Sequence, residues 1–285
     1  MSGTKKLSMK KALASGLAVF AMLTLSTTAH AKLATNKLAT NRLSPYSAAA
    51  NSAMASMLAA SPIASARLGP NAYAANRETT AAFISTPEGR EVLGYIVGCA
   101  LPDGDKLLAT GTDGTTFEFF GEAGLAKEWV NHRLFKAGRG WVSACLFARV
   151  NNHNTPVPVS MRGPHHALAT STDEEQGWAL EEGAFYGDYF VAPGAPVQWI
   201  ACRGRDQAAS EFGGLVDRDC TEPDPNDPTH TVCGFTYAGE CGAFAPEPVC
   251  NRFWWEGFYR GCRDNLDGIL RSDRFRQIIT VFVVQ

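Results

Sequence analysis

Residues 86–120 read TPEGREVLGYIVGCALPDGDKLLATGTDGTTFEFF, and this stretch decides the fold class. Thr86 supplies a helix N-cap, Pro87 a preset first-turn φ, and Glu88 a first-turn acid that complements the helix dipole. Val92, Leu93, Ile96 and Val97 then recur at helical spacing, which places Cys99 at the helix end. Leu-Pro-Asp-Gly-Asp, residues 101–105, turns the chain. Lys106–Thr110 and Thr115–Phe120 flank Asp113-Gly114, the dipeptide of a tight β-hairpin. A helix followed by an antiparallel hairpin predicts an α+β domain.

The flanking segments extend this reading. Glu122–Val130 suits a short helix with Leu125 and Trp129 on one side, and Trp141–Val150 is apolar except for Ser143 and Arg149, as a buried core helix requires. Val157–Met161, Ala184–Val191, Val197–Cys202 and Ile278–Val284 read as strands, rich in β-branched and aromatic residues. Early helices and a hairpin therefore precede a β-rich C-terminal region.

That region holds six of the eight cysteines, Cys202, Cys220, Cys233, Cys241, Cys250 and Cys262, among many Pro, Gly and Asp residues. Disulfides are expected to replace a missing core there, each contributing roughly 2–4 kcal/mol by restricting the unfolded chain. Cys99 and Cys145 lie outside the cluster on early apolar elements and are expected to pair. No Cys-x-x-Cys occurs and the late gaps are long, which argues against a structural zinc site. The apolar surroundings of Cys145 argue against a reactive thiolate. No cofactor motif is found: no dinucleotide fingerprint, phosphate-cradling loop, zinc-protease helix motif or serine elbow is present.

Residues 1–31 have the three parts of a cleavable export signal. Lys5, Lys6, Lys10 and Lys11 form a basic start, Ala12–Leu25 an apolar run, and Ala29-His30-Ala31 a small-residue end, with cleavage expected after Ala31. The apolar run is short of the ~20 residues that span a bilayer, and no other segment reaches that length. The expected location is secreted, periplasmic or at the cell surface, an oxidising setting that favours disulfides. Without the leader, 22 basic residues face 28 acidic ones. An acidic body repels phosphate backbones, so nucleic-acid binding is set aside.

Residues 32–76 form an Ala-, Asn- and Ser-rich tail that opens with Lys-Leu-Ala-Thr-Asn twice, placing Leu33, Leu38 and Leu43 five apart. This reads as a flexible spacer with helical tendency around Ala48–Leu58. Residues 77–200 are expected to form the globular core, and residues 201–285 a cysteine-rich part of the same domain.

Candidate site residues are few. Glu181 and Glu182 invite a glycosidase reading, with Glu182 the weak catalytic candidate and Asp188 or a distant acid its partner. Strand neighbours face opposite ways, however, whereas retaining chemistry needs carboxylates ~5 Å apart. Asp217, Asp219, Asp224 and Asp227 give an acidic loop with weak calcium-binding potential but without the ligand ladder of a helix-loop-helix site. Phe253-Trp-Trp-Glu-Gly-Phe-Tyr259 has an aromatic density beyond what one short run can bury, so Trp254, Trp255 and Tyr259 are the binding candidates.

Several segments carry a resemblance: residues 95–101 (YIVGCAL), Gly124-Leu-Ala with Trp129, residues 141–151 (WVSACLFARVN), Met161-Arg-Gly163, residues 182–187 (EGAFYG) and Cys202-Arg-Gly. Together they resemble uncharacterised exported cysteine-containing proteins of myxobacterial type over roughly residues 87–262. Those proteins often carry Leu- and Asn-bearing repeats ahead of the core. The resemblance implies no known reaction. The expected function is a non-catalytic binding or surface module whose partner is a cell-envelope glycan or protein. A secreted hydrolase acting on glycan or peptidoglycan is the alternative.

Overall fold

The computed structural model describes residues 38–41, 43–151, 157–206, 220–242, 248–252, 256–264 and 274–284, all within one unit. The expected signal, residues 1–31, lies outside the described residues.

Strand β1 (Leu38–Asn41) is the second Leu-Ala-Thr-Asn copy, and helix α1 (Pro45–Ala59) follows, capped by Ser44. Short strands β2 (Ala66–Arg67) and β3 (Ala72–Ala74) lead into helices α2 (Arg77–Ile84) and α3 (Pro87–Ala100). Thr86 caps α3 as its sequence demands, its Oγ1 accepting from the Gly89 amide at 3.0 Å. The hairpin strands are β4 (Lys106–Thr110) and β5 (Thr116–Phe120), and helix α4 (Lys136–Ala148) carries the long apolar run.

Next come β6 (Val157–Arg162), α5 (Thr172–Gly177), β7 (Leu180–Asp188) and β8 (Gln198–Arg203). The disulfide-rich part adds β9 (Pro223–Asp224), β10 (Asp227–Thr231), β11 (Thr236–Glu240), β12 (Cys250–Asn251) and β13 (Gly261–Arg263). Strands β14 (Arg274–Phe275) and β15 (Ile279–Val283) complete an α+β fold.

An eight-stranded sheet runs in the order β1-β6-β15-β7-β8-β11-β10-β9, antiparallel except between β8 and β11. A four-stranded sheet, β2-β3-β4-β5, and a three-stranded sheet, β12-β13-β14, accompany it. Helix α4 lies on β7 and β15, α3 packs on α4 and β5, and α1 and α2 pack on α3. The helices thus fill the space between the large sheet and the hairpin sheet. Cys99 bridges to Cys145 across α3 and α4, with Cα atoms 5.9 Å apart. The late cysteines pair as Cys202–Cys241, Cys220–Cys233 and Cys250–Cys262.

Three expectations change. From Leu43 onward the tail is core rather than spacer: Leu43, Ala55, Leu58 and Ile63 are buried. The anchor is Trp129, whose Nε1 donates to the Ser61 carbonyl while its own carbonyl accepts from the Ile63 amide, each at 3.0 Å. Within 122–130 the only helix is one tight turn, Lys127–Val130. The amides of Glu122, Ala123, Leu125 and Ala126 instead reach the carbonyls of Gly98, Cys99 and Ala100, satisfying the open end of α3, and Gly124 at φ +67° makes the necessary bend. Strand β7 begins four residues before its expected start and ends at Asp188, whose Oδ1 accepts from the Phe190 amide and turns the chain.

The β7–β15 register contains an irregularity that shapes the site. Val281 faces Gly183 but Phe282 faces Glu181, so Glu182 is an extra residue in β7. Strict alternation of faces fails there. The expectation that Glu181 and Glu182 face opposite ways does not apply.

Candidate functional site

Strand β6 ends in Val-Ser-Met-Arg, and residues two apart share a face. Ser160 and Arg162 are therefore neighbours on one face, both buried. Arg162 Nε donates to Ser160 Oγ at 3.1 Å, Ser160 donates in turn to Glu174 Oε1 at 2.8 Å, and Arg162 Nη2 donates to the Trp178 carbonyl at 2.5 Å. The guanidinium lies over the Phe282 ring at 3.8 Å. These contacts fix its plane. Burial pulls the Arg162 pKa below its ordinary value, opposed by the charges of Glu175 and Glu174.

Arg162 forms the inner wall of an open cleft of about 350 Å³. Around it stand His165, Thr170, Glu175, Phe258 and Arg260. The chain leaves β6 through Gly163, where a Cβ would lie 2.6 Å from the Ile278 carbonyl oxygen, so a larger residue would push this wall away from β15. His165 Nδ1 accepts from the Ala167 amide at 3.1 Å and its ring meets Trp141 edge-on. Thr170 donates to Glu175 Oε1 at 2.5 Å. On the same lining, Arg260 holds Glu256 through both its Nε and its Nη2, a fork that raises its pKa.

A second polar cluster fastens the segment that carries Phe258 and Arg260 to the sheet. Glu181, with a side chain wholly shielded from solvent, accepts from Tyr259 Oη at 2.7 Å, from Arg205 Nε at 3.2 Å, and from Arg252 Nη1. The Tyr259 amide donates to Thr280 Oγ1 on β15 at 2.9 Å. Burial first, and the adjacent Glu181 carboxylate second, push the Tyr259 hydroxyl well above its ordinary pKa. Three hydrogen-bonding residues, Tyr259, Arg205 and Arg252, thus satisfy what would otherwise be a costly buried charge.

The sequence candidates fall differently from expectation. Glu182 is 4 % exposed and its backbone carbonyl accepts from the Gly204 amide, so a substrate cannot reach it as the structure stands. Asp188 lies six residues further along the same strand, ~20 Å by strand geometry, and it is paired with Arg139. That spacing cannot serve a glycosidase pair. Tyr259 is buried against Glu181 rather than offered to a ligand, while Trp254 and Trp255 lie outside the described residues. The same aromatic run nonetheless borders the cleft through Gly257 and Phe258.

Asp217 and Asp219 also lie outside the described residues. Asp224 accepts from the Asn226 amide, and Asp227 accepts from Thr229 and pairs with His230, so both carboxylates organise a turn. The Thr229 and His230 hydrogen bonds hold the Asp227 carboxyl below the usual carboxylate range.

Arg162, Arg252 and Arg260 were not singled out by the sequence reading, which weighed Glu181 only as half of a glycosidase pair and Phe258 only as a member of the aromatic run. One signal was present: Ser160 and Arg162, two apart in an otherwise apolar strand, mark polar groups on a face that burial would normally reserve for hydrocarbon. No family model, no curated protein and no solved structure matches the chain.

Proposed function

We propose that this protein is an exported, non-catalytic binding module of the cell envelope, and that it holds its ligand in the cleft between Arg162 and Phe258. The observation that carries the reading is the cleft itself: aromatic and charged side chains converge on it, and its volume lies within the range of small-molecule sites. The carboxylates that would have served hydrolysis are occupied or buried. Glu181 is bound by two arginines and a tyrosine, and Glu182 lies inside the sheet.

Four disulfides suit an oxidising compartment, and no helix among the described residues is long and apolar enough to cross a membrane. The basic, apolar and small-residue parts of the leader support export.

The test is retention of the purified protein on isolated cell-wall glycan. Phe258→Ala and Arg260→Gln, both at the solvent-facing wall, should each weaken retention about tenfold with the fold intact by circular dichroism. Undiminished retention in both variants overturns the reading. So does glycan hydrolysis that vanishes in Glu182→Gln.

A further inference from the structure

The structure points to a ligand class for this cleft, an inference that rests on the binding reading above. Arg162 is only 6 % exposed, yet among the described residues no carboxylate lies within ion-pair distance of it. Its hydrogen bonds go to a serine hydroxyl and a backbone carbonyl. A buried guanidinium normally has a carboxylate partner, because the desolvation of the charge is otherwise uncompensated. Glu174, the nearest carboxylate along the chain of contacts, is reached only through Ser160. The remaining edge of Arg162 borders the cleft.

We propose that the cleft binds a carboxylate-bearing sugar residue, a hexuronate unit of an acidic glycan, with Arg162 receiving the carboxylate and Phe258 packing on the sugar ring.

Charge supports an anionic ligand. Of the two lining arginines, Arg260 is already forked onto Glu256, whereas Arg162 has no carboxylate within ion-pair distance among the described residues, and Glu175 on the same lining is held by Thr170. Geometry supports the same class. A guanidinium whose plane is set by Phe282, Ser160 and the Trp178 carbonyl is preorganised for the flat carboxylate. Phe258, with the Arg260 guanidinium 5.8 Å from its ring centroid, lines the same cleft and supplies an apolar surface for the C–H face of a sugar.

The experiment is calorimetric titration of the oxidised full chain with digalacturonate, its neutral methyl ester and inorganic phosphate. Digalacturonate should bind at least tenfold more tightly than the ester, because a charge-assisted hydrogen bond is lost on esterification. It should also outbind phosphate. Arg162→Met should abolish the preference for acid over ester, and the wild-type comparison needs no variant if that substitution disturbs folding. Equal binding of acid and ester, tighter binding of phosphate, or binding of neither glycan overturns the carboxylate assignment. When Phe258→Ala still loses cell-wall retention in those cases, the cleft remains the binding site and only the ligand class falls. When Phe258→Ala and Arg260→Gln also leave retention unchanged, both readings fall together.

Discussion

One face of the eight-stranded sheet meets α4 through Phe147, Phe185, Phe235 and Val281, all buried among further hydrocarbon. The opposite face, under residues 248–252 and 256–264, carries Ser160, Arg162, Glu181 and Thr280 beside the Cys202–Cys241 and Cys250–Cys262 bridges. Apolar burial is non-directional and grows with area, so the α4 face gains stability from many interchangeable contacts. Buried ions and hydrogen bonds are directional, and one missing partner strands the rest. The contrast teaches where this molecule keeps robustness and where it keeps specificity. The proposed ligand cleft lies on the second face, where the groups have fixed positions.

The contrast can be broken by substitution. Phe147→Ala removes a ring that contacts Tyr189, Trp199 and Phe235 and should lower global stability by about 4 kcal/mol, read by urea denaturation. Glu181→Ala leaves Arg252, Arg205 and Tyr259 facing no carboxylate. The expected cost is about 3 kcal/mol, at the low end for a broken buried pair because Arg205 is largely exposed. Hydrogen exchange should then rise first in residues 248–264 while α4 stays protected. Simultaneous loss of protection in both regions would abolish the distinction between the faces.

A smaller effect is expected at Ser160→Ala, about 2 kcal/mol, since Glu174 Oε1 and Arg162 Nε both lose their partner. This change should also weaken digalacturonate binding, whereas Phe147→Ala should not in the folded fraction.

Alkaline titration gives the smallest and sharpest comparison. Tyr259 has a folded pKa raised above the ordinary value near 10. Its contribution is therefore fully present below pH 10 and is lost as pH rises toward the folded pKa. At pH 11 the expected loss is about 1 kcal/mol, absent from the pH slope of Tyr259→Phe. Tyr186 and Tyr189 are raised by burial as well, so their ionisation, followed by ultraviolet absorbance, should fall well above the ordinary tyrosine range.

Local chemistry was legible where it acts over a few residues. Thr86, Pro87 and Glu88 define the start of α3 without reference to anything distant, and an apolar run as dense as 141–148 can only be core. The pairing of Cys99 with Cys145 followed from placing both on packed helices. The end of α3 was legible to within a residue, but what satisfies it was not, because its carbonyls are met by amides around Gly124, more than twenty residues onward. The site was less legible still. Glu181 meets Arg252 and Tyr259 across 71 and 78 positions of sequence, a juxtaposition created by sheet order and not by spacing. Even the choice between Glu181 and Glu182 turned on the extra residue in β7, which no periodicity announces.

That extra residue constrains how this chain can change length through evolution. Removing Glu182 itself would leave Glu181 opposite Phe282 and Gly183 opposite Val281 in an unbroken ladder, whereas removing one position between Gly183 and Asp188 would shift the register against β15 and β8 and turn side chains to the wrong face. The turn at 192–197, by contrast, joins two strands from outside their ladder, and gains or losses there leave both registers untouched. Homologous chains should therefore vary in length at that turn and keep a constant count from Gly183 to Asp188.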